Sequence, residues 1–112
     1  MIPSLSEKID QIASRGGIRG RDVAGLLGTT QQTISRWKAG KVEPHQRSLE
    51  KLLELEWLIA QLAEFCEPPQ ARLWLYTKNR YLNGESPADA IKGGRYEEVS
   101  DLLTRIRDGA YL

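Results

Sequence analysis

The chain predicts an all-α fold. Apolar residues recur every three to four positions from end to end, and no stretch alternates as a half-buried strand does. Helix-opening and helix-closing residues also punctuate that periodicity at short, regular intervals. The length of 112 residues, 40% hydrophobic and 28% charged, suits one small helical body rather than a disordered chain.

Each element has a local reason. Ser4-Leu5-Ser6-Glu7 matches a capping box, and Leu5, Ile9, Ile12 and Ala13 then share one helix face until Gly16-Gly17. A short helix follows over about 20–27, stopped by Gly28. Thr29-Thr30 caps a third over about 31–39, closed by Gly40. After Pro44 a long helix is expected over about 46–65. Its second half, with Leu55, Trp57, Leu58, Ile59, Ala60, Leu62 and Ala63, is apolar around nearly its whole circumference. That pattern implies packing on several sides or a self-association surface.

Pro68-Pro69 ends that helix and opens the next, expected over about 70–77. Tyr81-Leu82-Asn83-Gly84 reads as a turn. Ser86-Pro87-Ala88-Asp89 is a second capping box, opening a short helix to Lys92 that Gly93-Gly94 breaks. Val99, Leu102, Leu103 and Ile106 form one face of a last helix capped by Gly109. The expected whole is one continuous body with the long helix as its spine.

Charge and composition narrow the function. Lys plus Arg total 16 and Asp plus Glu 15, so a basic surface must be local. From 15 to 41, six basic residues face one acid; from 46 to 69, two basic residues face five acids. A cluster of this kind is either a solvated face or a nucleic-acid footprint. The single Cys66 excludes an internal disulfide and a multi-Cys zinc site, and the single His45 removes most metal sites and His-based triads. Glu97-Glu98 are helix neighbours that do not face one another. Catalysis and cofactors are therefore not expected. No run approaches the roughly 18 apolar residues of a membrane span, and the N-terminus lacks signal-peptide regions, so a cytoplasmic location is expected.

The two short helices around Gly28 have the spacing of a DNA-reading helix-turn-helix. With Gly20 as position one, Ala24 falls at five, Gly28 at nine and Ile34 at fifteen. Ala24 is small where the second helix crosses, Gly28 accommodates the tight turn, and Val23, Leu27, Ile34 and Trp37 fill the angle between helices. Trp37 reads foremost as core and His45 as a turn or cap residue.

Gly28-Thr29-Thr30-Gln31-Gln32-Thr33-Ile34 resembles the turn and recognition helix of the lambdoid phage repressors and the wider Xre-like helix-turn-helix family, over about residues 4–58. The resemblance implies that Gln31, Gln32 and Arg36 meet base edges in the major groove. It implies that Thr30 serves a phosphate at the helix N-terminus, and that Arg19, Arg21, Lys38 and Lys41 hold the backbone by charge. Thr33 and Ser35 face either DNA or water. The chain has Gly20 where some relatives carry a polar phosphate-binding side chain, a place Arg19 or Arg21 would fill.

The C-terminal third carries a second resemblance. Ala71-Arg72-Leu73-Trp74-Leu75, then Asn79, Leu82, Gly84, Pro87, Ala88, Asp89, Gly94, Val99, Leu102, Leu103, Ile106 and Gly109 are similar in order to the toxin-binding domain of the Xre/MbcA/ParS antitoxin family, over about 68–112. The two resemblances divide the chain into a helix-turn-helix region with its linking helix, 1–66, and a toxin-binding domain, 67–112. Read alone, the third is a small helical module with Trp74 and Leu75 as core, Asn79 at a helix end, and Tyr76, Arg80, Tyr81, Arg105 and Arg107 as surface or contacts. The tail Ala110-Tyr111-Leu112 either frays or inserts into a partner.

As that family's resemblance implies, Trp74, Tyr76, Asn79, Arg80, Arg107, Gly109, Ala110, Tyr111 and Leu112 would meet a toxin. The expected function is an antitoxin that blocks the cleft of a RES-domain, NAD-consuming toxin. It would also bind double-stranded operator DNA to repress its own operon, as a homodimer or a larger hetero-oligomer with the toxin. The alternative is a stand-alone dimeric repressor whose C-terminal third only dimerises.

Overall fold

A computed structural model of the chain describes residues 4–109, and Ala110, Tyr111 and Leu112 of the expected contact set lie outside them. Among the described residues the elements are all helical: α1 (Leu5–Gly16), α2 (Gly20–Leu27), α3 (Gln31–Lys38), α4 (Gln46–Ala63), α5 (Pro68–Tyr76), a 3₁₀ turn (Arg80–Leu82), α6 (Pro87–Lys92) and α7 (Tyr96–Arg107).

Side-chain caps open three of the helices. Oγ of Ser4 accepts the Glu7 N–H at 3.2 Å, Oγ1 of Thr30 the Thr33 N–H at 3.1 Å, and Oγ of Ser86 the Asp89 N–H at 3.0 Å. The reciprocal half of a capping box is found elsewhere. Asp22 accepts the Arg19 N–H at 3.0 Å, and Gln70 the Glu67 N–H at 3.1 Å.

Four boundaries differ from expectation. α3 stops at Lys38, with Ala39 as its cap. α4 ends at Ala63 because the amides of Glu64 and Phe65 reach back only three residues, to Gln61 and Leu62, tightening the last turn. α5 starts at Pro68, whose fixed φ suits a first helical position, and ends at Tyr76. The stretch read as a plain turn is a 3₁₀ turn followed by Asn83 at φ 57°.

One hydrophobic core runs through both regions, from Ile9 and Ile12 through Val23, Ile34 and Trp37 to Leu75, Val99 and Leu103. α4 is its spine, packed against α1, α5 and α7. Leu52, Leu55, Leu58, Ile59 and Leu62 lie on one arc and are almost wholly buried, each stabilising by about 2 kcal/mol. The burial is one-sided, however. Leu49, Leu53 and Trp57 recur every fourth residue on the opposite face and stay 37%, 41% and 39% exposed. The chain's own helices cover only one arc of α4, so the apolar circumference is half satisfied within a single copy.

The C-terminal helices dock directly on the N-terminal ones. α1 packs on α5, and α2 on α6. At Gly17 (φ 64°) a Cβ would stand 2.2 Å from the Pro68 carbonyl oxygen. Glycine alone permits both that approach and that backbone conformation. The start of α5 is thereby fixed against the corner between α1 and α2.

Candidate nucleic-acid interface and partner surface

α3 sorts its residues by the helical period. Ile34 and Trp37 are 2% and 5% exposed and anchor the helix to the core. Gln32, Ser35 and Arg36 therefore project from the opposite side, with Gln31 beside them at the N-terminal end, and all four are exposed. Thr33 is half-buried, and its hydroxyl lies 2.9 Å from that of Thr30. The Thr30 hydroxyl thus already serves the helix as a cap and touches a second hydroxyl. Ala24, small at the helix crossing, and the large Trp37 are both core.

The cations expected around this helix differ in their surroundings. Arg36 and Lys41 are exposed at and just beyond its end, joined through the Lys41 N–H to the Arg36 carbonyl at 3.0 Å. Lys38 is held by Asp10 of α1, Nζ to Oδ1 2.6 Å. An exposed pair of this kind is weak, and a phosphate competes with the carboxylate for the ammonium. Arg19 and Arg21 are exposed at the start of α2 and precede the half-buried Asp22. Burial raises the Asp22 pKa. The Arg19 amide, the Arg72 guanidinium and the Arg21 charge outweigh that and hold the carboxyl below its ordinary value.

The residues expected to meet a partner fall into separate groups. Trp74 is half-buried and packs on the core. Tyr76 is 37% exposed. Arg72 lies over its ring at 5.2 Å and Lys92 at 6.0 Å, so two cations approach one aromatic ring. Burial raises the Tyr76 hydroxyl pKa, with the Asp22 charge adding to it. Asn79 is a pin for its own loop. Its Oδ1 accepts the Tyr81 N–H at 2.9 Å, and its backbone bonds Glu85 and Gly84. Arg80 stacks on Tyr81 at 4.9 Å and donates to its hydroxyl at 2.8 Å.

At the far end of the domain, Arg107 donates to Gln61 of α4 at 2.7 Å, and Gly109 turns the chain at φ 81°. Half-buried Ile106 and exposed Phe65 and Glu64 line a hollow beside Arg107. Tyr76 thus belongs to the side formed with α2 and α6, and Arg107 to the side formed with α4. His45 is exposed at the N-cap position of α4 without a side-chain capping bond. Among the described residues no cluster of three His, Cys, Asp or Glu side chains has metal-binding arrangement, and no helix is long and apolar enough to cross a membrane.

Sequence reading missed Arg72, Lys92 and Gln61. Arg72 meets Asp22 across 50 positions and Arg107 meets Gln61 across 46, separations that leave no local pattern.

A groove-sized helix presented on a three-helix corner, with a compact helical module fixed to its back, defines a helix-turn-helix protein with an appended C-terminal domain. Residues 13–55 match the helix-turn-helix model, and 62–109 match that of the antitoxin Xre/MbcA/ParS C-terminal toxin-binding domain. The chain is 28% identical over 108 residues to the mycobacterial cidal antitoxin MbcA of Mycobacterium bovis and of Mycobacterium tuberculosis, covering 96% of each chain. It is 30% identical over 96 residues to a probable mycobacterial cidal antitoxin of M. tuberculosis, covering 86% of this chain and 82% of that one. Its fold is similar to a chain in the crystal structure of the M. tuberculosis MbcT–MbcA toxin–antitoxin complex, with a TM-score of 0.83, 27% identity, and coverage of 99% and 100%. The chain belongs to the Xre/MbcA/ParS antitoxin family.

Proposed function

We propose that the chain neutralises a RES-domain toxin that consumes NAD, by blocking the toxin's active-site cleft, and that it binds its own operator to repress the operon. The observation that carries this reading is the full-length likeness to a chain solved within a toxin–antitoxin complex. Neutralisation of this kind requires no chemistry from the antitoxin. It requires a surface of on the order of 800 Å² that occludes a substrate entrance, centred on aromatic and Arg anchors. Trp74, Tyr76, Asn79, Arg80, Arg107 and Gly109 are the proposed contacts, with the tail Ala110-Tyr111-Leu112 beyond the described residues. Tyr76, Arg80 and Arg107 have the exposure this role needs, whereas Asn79 acts through the loop it pins.

On the DNA side, Gln31, Gln32 and Arg36 read base edges, with Thr33 and Ser35 beside them. Arg19, Arg21, Thr30, Lys38 and Lys41 hold phosphates. Lys38 exchanges Asp10 for a phosphate on binding. A single helix-turn-helix spans only a few base pairs, so a two-copy complex on a pseudo-symmetric site follows, acting in the cytoplasm. The uncovered Leu49, Leu53 and Trp57 face supports self-association.

Co-expression with the product of the adjacent gene tests the reading. A complex that survives purification and binds the duplex upstream of the operon is the expected result. Duplex binding by the chain alone, with no partner retained, would instead favour a stand-alone dimeric repressor.

A further inference from the structure

Asp22 stands where an acid is least expected. It follows Arg19 and Arg21 in the first turn of α2, inside the 15–41 stretch where six basic residues face this one acid. Its side chain is 17% exposed, and its Oδ2 accepts both the Arg19 amide at 3.0 Å and Arg72 Nη1 at 3.1 Å. The neutralising cation comes from the other region of the chain, 50 positions away. Arg72 is itself 47% exposed and lies over the ring of Tyr76, one of the proposed toxin contacts. The contact is not incidental to a loose junction. The Gly17–Pro68 approach fixes the start of α5 on the α1–α2 corner, and α2 also packs against α6.

We propose that Arg72 is a positioning residue for DNA binding: it neutralises Asp22 and so couples the charge at the start of α2 to the C-terminal helices. This rests on the proposal that Arg19 and Arg21 hold phosphates. With Arg72 in place, the carboxylate caps α2 without presenting a net negative charge to the duplex. With Arg72 drawn away, an uncompensated carboxylate sits in the same first turn as the two phosphate-holding arginines and repels the DNA backbone. A ligand that takes the guanidinium from Asp22 and supplies no cation in its place therefore weakens duplex binding without touching α3.

A charge cycle on the full-length chain tests this, using a labelled random-sequence duplex of about 30 base pairs at about 0.1 M salt. Arg72→Gln should weaken binding about 2- to 5-fold, Asp22→Asn should strengthen it, and Arg72→Gln in the Asp22→Asn background should cost almost nothing. Asn at 22 keeps an oxygen for the Arg19 amide, so the cap survives. Arg72→Lys, which keeps the charge, should retain wild-type affinity. Equal loss from Arg72→Gln in both backgrounds, no loss in either, or a loss from Arg72→Lys as large as that from Arg72→Gln would each overturn the inference. If neither the unmodified chain nor its complex with the partner bound any duplex, the DNA-binding reading itself would fall, a result distinct from these.

Discussion

Gln32 and Ile34 sit two positions apart in sequence and do opposite work. The helical period turns one toward solvent and sinks the other to 2% exposure. The same division separates Arg36 from Trp37. It follows that the exposed residues can be changed without disturbing the core. Gln32→Ala is expected to leave thermal unfolding unchanged and to relax base preference at one position by about 1–3 kcal/mol, measured by competition between singly substituted operator duplexes. An equal loss on operator and random DNA would assign Gln32 to the backbone instead. This much of the site was legible in the sequence, because spacing alone sorts a helix into faces. The ion pairs of Asp22 with Arg72 and of Lys38 with Asp10 were not, since each joins residues from different helices that only the folded chain brings together.

Helix starts were legible for a related reason. Ser4, Thr30 and Ser86 each satisfy an amide three residues on, so the cap and the helix it opens are written in one short segment. Ends were less so. The tightening of α4 after Ala63 and the 3₁₀ turn at Arg80–Leu82 depend on which backbone groups find partners, and Asn79 draws those partners from Glu85 and Gly84. The Thr30 cap sets the start of α3, the proposed base-reading helix. Thr30→Ala should cost about 1 kcal/mol in urea unfolding and weaken binding to all duplexes alike, while Thr30→Ser should preserve both. An unchanged unfolding midpoint for Thr30→Ala would show that packing of Ile34 and Trp37 alone fixes the helix. The α4 pattern was legible only in part. An apolar circumference signalled more than one neighbour, and the structure supplies neighbours for one arc while leaving Leu49, Leu53 and Trp57 open.

At the scale of the molecule, the two regions share one core, so the recognition helix and the C-terminal helices hold a fixed relation. α4 provides the spine, and the Gly17–Pro68 contact and the Asp22–Arg72 pair close the front of the molecule onto its back. The proposed coupling between the faces of such a body travels through charge and packing. The family membership was legible from residue order at both ends of the chain. The proposed partner surface divides in the folded chain, because Tyr76 and Arg107 belong to sides built with different helices. The proposed function has this chain silence an enzyme by covering it. Titrating the full-length chain into the protein encoded beside it, while following NAD consumption, tests that claim most directly. Consumption should fall to background at a fixed stoichiometric ratio; consumption that persists undiminished with the chain in large excess would contradict the account.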